Sequence, residues 1–512
     1  MPNPLYDALF KPLANRDTDL LHLSDGSSMS GRAFHHLILR YAATLQALGL
    51  KPGDRLAMQA AKSPQALAIY GAAVAAGIVF LPLNTAYTAD EVAYFVDNSG
   101  ASLLLGDSAN ADALQAVADR AKAQFLTLDA DGTGSFTERA SEQTGSFIPV
   151  DRGDDDLAAF LYTSGTTGRS KGAMLTQDNL LSNARVLVEQ WRFTNEDVLL
   201  HALPIFHTHG LFVASNTVLL AGGSMIFLPA FQIDTVLEAL PRATSMMGVP
   251  TFYTRLLDDA RFDQALTKHM RLFTSGSAPL LAETHKAFEE RTGHKILERY
   301  GMTETNMNTS NPYDGDRRPG TVGFPLPGVE LKITDPTTGE TLPQGEAGMI
   351  EVRGANVFAG YWQMPEKTRE ELRDDGFFIT GDIGQIDEDG YVSIVGRQKD
   401  LIITGGYNVY PKEIELIMDE QPGVLESAVI GLPHPDFGEA VACVVVAKKG
   451  AELDTEAMRS AIKDRIARFK QPKAIFVADA LPRNTMGKVQ KNVLRDIYGT
   501  QFAAANQGLK GD

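Results

Sequence analysis

A loop rich in glycine and hydroxyl side chains follows an apolar run, and this junction constrains the fold more than any other stretch. Residues 157–161 are apolar, and residues 162–172 consist mainly of Ser, Thr and Gly before ending in Lys171 and Gly172. Glycine lets backbone N–H groups approach an anion closely, hydroxyl groups donate to phosphate oxygens, and the lysine adds positive charge. The stretch therefore predicts a strand that leads into a polyphosphate-binding loop.

The glycine spacing of this loop differs from that of the common strand–loop–helix phosphate motif. That motif has four residues between its glycines and ends in Gly-Lys-Ser or Gly-Lys-Thr. Here Gly165 and Gly168 are closer together, and Lys171 is followed by Gly172. A kinase or GTPase of that class is therefore disfavoured. Taken alone, the loop is equally compatible with an ordinary surface turn.

The charge of the chain disfavours nucleic acid as a partner. The 512 residues carry a formal net charge of −17 at pH 7, spread without acidic or basic blocks. Because such a chain repels polyanions, an anionic substrate must be bound by local cations, and each clustered Arg or Lys is a candidate. The length also predicts roughly three or four structural units.

The single cysteine and the N-terminal residues favour a reducing compartment. Cys443 lies in the apolar run 440–446, which suits a small core residue in a strand and excludes an intramolecular disulfide. Residues 1–9 lack the basic start and the continuous apolar stretch of a signal peptide. We therefore expect a cytoplasmic protein.

Residues 31–105 alternate helical and strand patterns. The apolar run 66–83 is long enough to suggest a membrane span, but Gly71, Gly77 and Pro82 interrupt it. A buried helix that leads into a buried strand explains the run better than a membrane segment does. The alternation predicts an α/β fold in which helices cover parallel sheets, without contact to a membrane.

Three predicted strands of the large domain end in small or polar residues, near residues 163, 275 and 299. Ser277 and Ala278 follow the second strand, and Tyr300 continues the third. Ligands of parallel α/β sheets bind beyond the carboxyl ends of the strands. We therefore expect these three ends to meet in one crevice.

Three histidines, His201, His207 and His209, lie close together in the sequence. A zinc site is one interpretation, although no Cys, Asp or Glu stands at ligand spacing. A ring that packs against a bound acid, or a buried histidine with its hydrogen bonds satisfied, is the favoured alternative.

From about residue 320 the pattern changes to short strands and turns, which predicts a small β subdomain. A polar junction at residues 397–400 separates it from a compact α+β pattern. We therefore predict a large N-terminal domain at 1–397 and a small C-terminal domain at 398–512, with Lys488 in a loop of the latter.

Six motifs occur in a fixed order, at residues 162–172, 300–304, 380–382, 396–400, 405–415 and 482–488. With these motifs the chain resembles the acyl-adenylate-forming superfamily, which includes acyl-CoA synthetases, luciferases and the adenylation domains of peptide synthetases. The resemblance covers nearly the whole chain. Within the superfamily, residues 204–216 and 298–313 are similar to those of malonyl-CoA synthetases.

The resemblance implies an AMP-forming acid–thiol ligase that uses ATP, Mg²⁺ and CoA. A substrate carboxylate attacks the α-phosphorus of ATP, diphosphate leaves, and the CoA thiol captures the acyl-AMP. Thr303 is implied to contact the α-phosphate, and Glu304 is implied to bind Mg²⁺. The residues implied to bind ATP or AMP are Thr163, Ser164, Gly165, Thr166, Thr167, Gly168, Lys171, Ser277, Ala278, Glu298, Arg299, Tyr300, Gly301, Met302, Asp382 and Arg397.

The resemblance also implies a mobile C-terminal domain. Lys488 would bridge the substrate carboxylate and the α-phosphate during adenylation. Rotation about Lys399 would then withdraw Lys488 and build the CoA channel beside Gly405 and Gly406.

A substrate with a second carboxylate requires a cation in the acyl pocket, because an unpaired buried carboxylate costs several kcal/mol. Arg299 is the main candidate, since a guanidinium binds a carboxylate through two hydrogen bonds. His207, Ser277 and Arg255 are further candidates for the acyl pocket. Arg255 is equally compatible with the outward face of a helix.

The sequence thus predicts malonate, ATP and CoA as small-molecule partners, with methylmalonate as a second possible acid. The alternatives are a ligase for another small or aryl acid, an enzyme that loads a carrier protein, and a non-catalytic nucleotide-binding scaffold. The sequence leaves the oligomeric state open.

Overall fold

The computed structural model describes residues 2–163, 170–404, 407–435, 437–463, 465–484 and 487–502. The chain divides into two compact units. The first unit comprises residues 1–331 and 352–378, and the second comprises residues 332–351 and 379–512.

The strands of the first unit are short and mostly buried. In chain order they are β1 Asp19–His22, β2 Ser28–Ser30, β3 Arg55–Gln59, β4 Val79–Pro82, β5 Leu103–Gly106, β6 Gln124–Thr127, β7 Leu157–Thr163, β8 Lys171–Thr176, β9 Val198–His201, β10 Ser224–Phe227, β11 Ser245–Gly248, β12 Leu272–Ser275, β13 Leu297–Met302, β14 Asn306–Ser310 and β15 Phe324–Pro325.

The helices of this unit alternate with the strands through most of the chain. They are α1 Pro4–Leu9, α2 Gly31–Ala47, α3 Pro64–Ala76, α4 Ala89–Ser99, α5 Ala111–Ala121, α6 Ser135–Ser141, α7 Gln177–Gln190, α8 Asn216–Ala221, α9 Ile233–Ala239, α10 Pro250–Leu257, α11 Gln264–Thr267, α12 Ala282–Thr292 and α13 Pro365–Glu371. A π-helix, His209–Ser215, leads directly into α8.

Two sheets organise the first unit. One has six strands in the order β6-β5-β3-β4-β7-β8, and the other has nine in the order β15-β14-β13-β12-β11-β9-β10-β1-β2. The inner pairs are parallel, whereas β7–β8, β1–β2, β13–β14 and β14–β15 are antiparallel. Parallel neighbours require crossover helices, and the alternation of helices and strands supplies them. The predicted α/β fold is confirmed.

The apolar run 66–83 forms a helix and a strand, as predicted. The Ser63 hydroxyl accepts a hydrogen bond from the N–H of Ala66, and Pro64 occupies the first helical turn, so α3 begins there. Gly77 ends α3 in the left-handed region with a φ of 67°, and β4 follows. No helix among the described residues is both long and apolar enough to cross a membrane.

Aromatic side chains fill the core beside the nine-stranded sheet. Tyr253, Phe273 and Phe288 are fully buried, with ring centroids between 5.0 and 6.5 Å apart. Tyr253 also donates a hydrogen bond to the carbonyl of Thr274 at 2.5 Å. This core holds the end of β12, beside which Ser277 and Arg299 lie.

The second unit contains a four-stranded sheet and a mixed five-stranded sheet, in which β23 pairs with β22 antiparallel and with β24 parallel. The four-stranded sheet has the order β16-β17-β18-β19 and shares some residues with the first unit, and the other sheet joins β20 to β24. The strands are β16 Glu330–Thr334, β17 Gly348–Arg353, β18 Phe378–Ile386, β19 Val392–Arg397, β20 Ile402–Thr404, β21 Tyr407–Val409, β22 Val424–His434, β23 Gly438–Ala447 and β24 Ala474–Ala478. The helices are α14 Pro411–Asp419, α15 Thr455–Ile462 and α16 Lys491–Tyr498.

The small β subdomain and the α+β pattern predicted from the sequence are both present. Cys443 is fully buried in β23, as expected for a core residue. The division into units assigns residues 332–351 and 379–397 to the same unit as the C-terminal residues. The predicted boundary after Arg397, the hinge at Lys399 and the mobility of the C-terminal domain remain predictions.

Candidate active site

The phosphate loop is flanked by two antiparallel strands. Thr163 ends β7 and lies opposite Lys171, the first residue of β8. The hairpin therefore places both flanks of the loop side by side. The predicted phosphate-binding residues between them lie outside the described residues, and these are Ser164, Gly165, Thr166, Thr167 and Gly168.

Glu304 lies in the turn between β13 and β14 and is buried, with Thr303 just before it. The Thr163 hydroxyl lies within hydrogen-bond distance of Glu304 Oε1, at 3.4 Å, and the Tyr361 hydroxyl lies 3.1 Å from the same oxygen. Burial raises the pKa of the Glu304 carboxyl. The end of β7 and the turn after β13 therefore meet, as expected for two of the three predicted strand ends.

Lys171 is buried and shares a partner, the Tyr361 hydroxyl, with Glu304. Its Nζ lies 3.0 Å from the Tyr361 hydroxyl and 3.0 Å from Glu371 Oε2. Neither Tyr361 nor Glu371 was a predicted site residue. The cation at the end of the phosphate loop thus has an acidic partner within the first unit.

The turn after β12 is held in an unusual backbone conformation. Ser277 has a φ of 71°, a left-handed value that a non-glycine residue adopts at a cost of about 1 kcal/mol or more. Its hydroxyl lies 3.1 Å from His209 Nδ1. Ala278 follows in the same turn, so the predicted adenine segment is displayed at the end of a core strand.

The second predicted adenine segment forms β13. The Glu298 carboxylate lies 3.1 Å from His285 Nδ1 and accepts a hydrogen bond from the N–H of Gly320 at 3.3 Å. A Cβ at Gly301 would overlap the carbonyl oxygen of Asn306, so glycine permits the close approach of β14. Tyr300 and Met302 flank this glycine and are partly buried.

Arg299 is a buried cation without a carboxylate partner in the described part of the chain. Only 4% of its surface is exposed, and its Nε and Nη2 atoms make no hydrogen bond to a described residue. The guanidinium of Arg299 lies over Gly276, and a Cβ atom at residue 276 would overlap this guanidinium. Burial lowers the pKa of the Arg299 guanidinium. Such a group binds an anion strongly because it is already stripped of water.

His209 contributes a second polar group near Arg299. It begins the π-helix, and its Nε2 is buried without a hydrogen-bond partner among the described residues. Burial and the charge of Arg299 lower the pKa of His209 well below its ordinary value, so the ring is neutral at pH 7. A Cβ at Gly210 would overlap the carbonyl of Pro204, so glycine allows the π-helix to pack closely.

The three neighbouring histidines have separate partners. His201 Nδ1 lies 2.9 Å from Lys62 Nζ, and its Nε2 lies 2.9 Å from the carbonyl oxygen of Gly210. His207 Nδ1 accepts a hydrogen bond from the backbone N–H of His209 at 3.2 Å. Among the described residues, no group of three or more His, Cys, Asp or Glu side chains is arranged to hold a metal ion.

Arg255 is exposed on α10, at a different place from Arg299. It lines a cavity of about 480 Å³ together with Lys62, Asp107, Phe206 and other residues, and Arg299 is not among them. This position matches the alternative that the sequence left open, in which Arg255 lies on the outward face of its helix.

In the second unit, Asp382 and Arg397 lie opposite each other on β18 and β19. Arg397 Nε is 3.0 Å from Asp382 Oδ1. The two residues predicted to bind ribose are therefore brought together by one antiparallel pair.

Lys488 lies in a tight loop of the second unit. Its backbone N–H donates to Asn484 Oδ1 at 3.0 Å, and its carbonyl accepts from the N–H of Asn484 at 2.9 Å. Lys399, the predicted hinge, lies in a short 3₁₀ turn, where burial lowers its pKa. Gly405 and Gly406 lie outside the described residues.

The arrangement of the first unit combines two chemical capacities. Glu304, Thr163 and Lys171 offer oxygen ligands and a cation at the base of the phosphate loop. Arg299 and His209 offer unsatisfied hydrogen-bonding atoms in a buried site that suits an anionic substrate. His209 was identified from the sequence only as one of three neighbouring histidines, and the pattern did not indicate that its ring lies beside Ser277.

The chain belongs to the AMP-binding enzyme family. Residues 10–362 match the model of the AMP-binding enzyme, and residues 413–488 match that of the AMP-binding enzyme C-terminal domain. The resemblance to adenylate-forming enzymes that the six motifs indicated is thereby confirmed.

One solved structure and two sequence relatives show which members of the family this chain resembles. The chain is similar to the ATP-bound crystal structure of MatB from Rhodopseudomonas palustris, with 57% identity, 98% of this chain and 100% of that chain covered, and a TM-score of 0.96. It is 36% identical to a malonate–CoA ligase of Arabidopsis thaliana, over 89% of this chain and 80% of the relative. It is also 36% identical to a feruloyl-CoA synthase of an Amycolatopsis species, over 93% and 95%.

Proposed function

We propose that the chain is a malonate–CoA ligase, an acid–thiol ligase that converts ATP, malonate and CoA to AMP, diphosphate and malonyl-CoA through malonyl-AMP. The observation that carries this proposal is the buried guanidinium of Arg299, whose Nε and Nη2 have no hydrogen-bond partner among the described residues. One carboxylate of malonate attacks the α-phosphorus of ATP, and the other requires a cation in the pocket. The relatives named for malonate support the same substrate.

Arg299 is the proposed ligand of the distal carboxylate. A guanidinium whose water has already been removed gains two charge-assisted hydrogen bonds when a carboxylate arrives. The neutral ring of His209, with its unpartnered Nε2, supplies a further hydrogen-bonding group. His207 and Ser277 remain proposed lining residues, and Arg255 remains a weaker candidate because it is exposed beside another cavity.

The phosphate loop and its flanking residues are proposed to bind the triphosphate. Thr163, Lys171 and residues 164–168 would hold the β- and γ-phosphates, and Thr303 would contact the α-phosphate. Mg²⁺ fits beside Glu304 and Thr163, because this hard cation prefers carboxylate, hydroxyl and phosphate oxygens. When bound, it would neutralise phosphate charge.

The adenosine is proposed to bind across both sequence segments identified for it. The turn of Ser277 and Ala278 and the strand residues 298–302 would frame adenine. Asp382 and Arg397 would bind the ribose hydroxyls. A hydroxyl group can donate to the carboxylate of Asp382 and accept from the guanidinium of Arg397.

Both half-reactions are proposed to use the C-terminal domain, residues 398–512. Lys488 would stabilise the charge that develops between the substrate carboxylate and the α-phosphate during adenylation. Rotation about Lys399 would then bring Gly405 and Gly406 to the CoA thiol channel. We also propose a cytoplasmic location, with no nucleic-acid or membrane partner.

The test is diphosphate release with ATP, Mg²⁺ and CoA across malonate, methylmalonate, succinate, acetate, butyrate, benzoate and ferulate. We expect malonate to lead in kcat/KM by at least about tenfold, which corresponds to about 1.4 kcal/mol of transition-state discrimination. Methylmalonate should be the second substrate, since it keeps both carboxylates.

The outcomes separate the alternatives. A lead for acetate or ferulate would retain the adenylation chemistry and reject the dicarboxylate pocket. Turnover that persists without CoA would favour a carrier-protein-loading enzyme. A lack of diphosphate release with every acid would favour a non-catalytic scaffold.

A further inference from the structure

An ionic cluster lies at the base of the phosphate loop, within the first unit. We call it the Lys171 cluster, and it consists of Lys171, Tyr361, Glu371, Lys367 and Glu304. The Lys171 side chain is 8% exposed, and its Nζ contacts both carboxylate oxygens of Glu371, at 3.1 and 3.0 Å. Nζ also lies 4.1 Å from the centroid of the Tyr361 ring. Lys171 is therefore fully engaged in this structure.

The Tyr361 hydroxyl lies between two carboxyl groups. Its oxygen is 2.6 Å from Glu371 Oε2 and 3.1 Å from Glu304 Oε1. A hydroxyl has one proton, so it donates to one carboxylate at a time. The shorter distance assigns the donation to Glu371. Tyr361 therefore holds Glu371 through a hydrogen bond that does not involve Lys171.

Glu371 has a second cation besides Lys171. Lys367 Nζ lies 3.0 Å from Glu371 Oε1, one turn earlier on α13, and 2.8 Å from Glu370. Hydrogen bonds from Tyr361, Lys171 and Lys367 outweigh burial and lower the pKa of Glu371. Glu371 would therefore keep a cationic partner if Lys171 were taken by another anion, whereas Glu371 is the one carboxylate in direct contact with Lys171 among the described residues.

We propose that Glu371 is the resident counter-ion of Lys171 in the nucleotide-free protein, and that the phosphates of ATP displace it. On binding, Lys171 exchanges the carboxylate for phosphate oxygens, while Lys367 and Tyr361 retain Glu371. The inference rests on the proposed function, because it requires a nucleoside triphosphate at this loop. Glu371 is a positioning residue, since it acts through Lys171 and does not contact the reacting atoms.

The exchange has a physical reason. A buried ammonium group without a partner destabilises the protein, so the nucleotide-free form needs an anion near Lys171. A carboxylate that stays in place competes with the incoming phosphates and keeps nucleotide affinity moderate. Removal of its charge should therefore destabilise the free protein and strengthen ATP binding.

The test compares wild type with Glu371→Gln by calorimetric titration with ATP and MgCl₂, without malonate, and by thermal denaturation. We expect the Kd for ATP to fall about tenfold in E371Q, which corresponds to about 1.4 kcal/mol. The melting temperature of the free variant should fall, and its rise on addition of ATP should exceed that of wild type. An ATP affinity that is unchanged or weaker in E371Q would overturn the proposal.

Glu370→Gln is the matched control, because Glu370 precedes Glu371 on α13 and is exposed, yet pairs with the same Lys367. It should leave the Kd for ATP and the ATP-induced rise in melting temperature as in wild type. An equal effect of E370Q would indicate a general change in helix charge and would contradict the proposed exchange.

A double-mutant cycle keeps the proposal testable if E371Q folds poorly. In the Lys171→Met background, the substitution E371Q should no longer strengthen ATP binding, because no cation remains to be competed for. The shorter carboxylate of Glu371→Asp should strengthen ATP binding less than E371Q does. Diphosphate release by wild type with malonate is measured in parallel, so its absence would reject the proposed function rather than the role of Glu371.

Discussion

Two arginines of the first unit show how a structural cation differs from a binding one. Arg271 Nε lies 2.5 Å from the buried carboxylate of Asp197, so its charge is balanced within the fold. Arg299 is more deeply buried, and its Nε and Nη2 contact no hydrogen-bond acceptor among the described residues. Burial of this charge lowers the stability of the folded state, and no ion pair offsets the cost within the described residues. The arrangement makes sense if an anionic ligand completes the site.

Replacement of Arg299 by methionine should strongly lower malonate activity without loss of stability. The apolar side chain has a similar length and removes the cost of a buried charge, so we expect an unchanged or higher melting temperature. Without the cation, kcat/KM for malonate should fall about 100-fold or more, or about 2.7 kcal/mol. Steady-state kinetics with malonate and butyrate, together with thermal denaturation, measure both effects.

Arg261→Gln is the control for this substitution, because Arg261 is exposed and pairs with Asp234 and Asp259 on the surface. It should leave malonate kinetics unchanged. If R299M retained wild-type kcat/KM for malonate, Arg299 would not be the ligand of the distal carboxylate.

At the scale of elements, α14 carries two acidic side chains one turn apart towards the interior of the second unit. Glu415 accepts a hydrogen bond from Lys491 Nζ at 2.6 Å and from the N–H of Val429 at 2.9 Å. Among the described residues, Asp419 accepts a hydrogen bond from one neutral donor, the Ser427 hydroxyl at 2.7 Å. Burial raises the pKa of Asp419 to about 6. The two carboxylates of one helix therefore respond differently to pH.

Asp419 should make the stability of the second unit depend on pH between about 4 and 6. The folded state retains the Asp419 proton over this range, whereas the unfolded state loses it. The free energy of unfolding therefore falls as the pH rises, by up to about 3 kcal/mol above pH 6. Asp419→Asn removes this loss, so we expect it to be about 1–3 kcal/mol more stable than wild type at pH 8 and nearly equal at pH 4.

Denaturant unfolding at several pH values measures this difference. Glu420→Gln is the control, because Glu420 follows Asp419, is exposed and pairs with Arg465. It should give no gain that depends on pH. A gain for D419N of the same size at pH 4 and pH 8 would exclude titration of Asp419 as its cause.

At the scale of the whole molecule, the proposed reaction uses residues of both units. Glu304 and Arg299 belong to the first unit, whereas Lys488 belongs to the second. The loop of Lys488 is closed by hydrogen bonds to Asn484, so its backbone is held while its side chain carries the charge. The two half-reactions should therefore depend on Lys488 to different extents.

Lys488→Ala should lower the rate of diphosphate release with malonate by about 100-fold or more, because a charge that stabilises the transition state is lost. The transfer of malonyl from chemically prepared malonyl-AMP to CoA should change less than about threefold. Lys488 is proposed to act only in the preceding adenylation step, where charge develops at the α-phosphate. Lys449→Ala, an exposed lysine of the same unit, should leave both rates unchanged. An equal loss in both half-reactions would contradict the assigned role.

Much of the fold was predictable because its signals are local. The helix and strand within residues 66–83 follow from Pro64, Gly77 and continuous apolar character, which act over a few residues. The short strands after residue 320 likewise follow from their turn residues. The grouping of residues 332–351 and 379–397 into one compact unit depends on packing between distant segments, which a local pattern does not report.

The candidate site was predictable in part for the same reason. Motifs identified Thr163, Lys171 and Glu304, and the structure brings all three together. The partner of Lys171 was not predictable, since Glu371 lies 200 residues away in an ordinary charged helix. Nothing in the sequence around His209 indicates that its Nε2 lacks a hydrogen-bond partner in the described part of the chain.

The sequence by itself determined the secondary structure and the supply of phosphate-binding, acidic and cationic side chains, because these depend on chemistry and on spacing along the chain. Only the tertiary structure decided which charges are balanced within the protein. It pairs Lys171 with Glu371 and, within the part of the chain that the structure describes, leaves Arg299 without a carboxylate partner. The reason is physical, since charge pairing and desolvation depend on distances between segments that packing brings together.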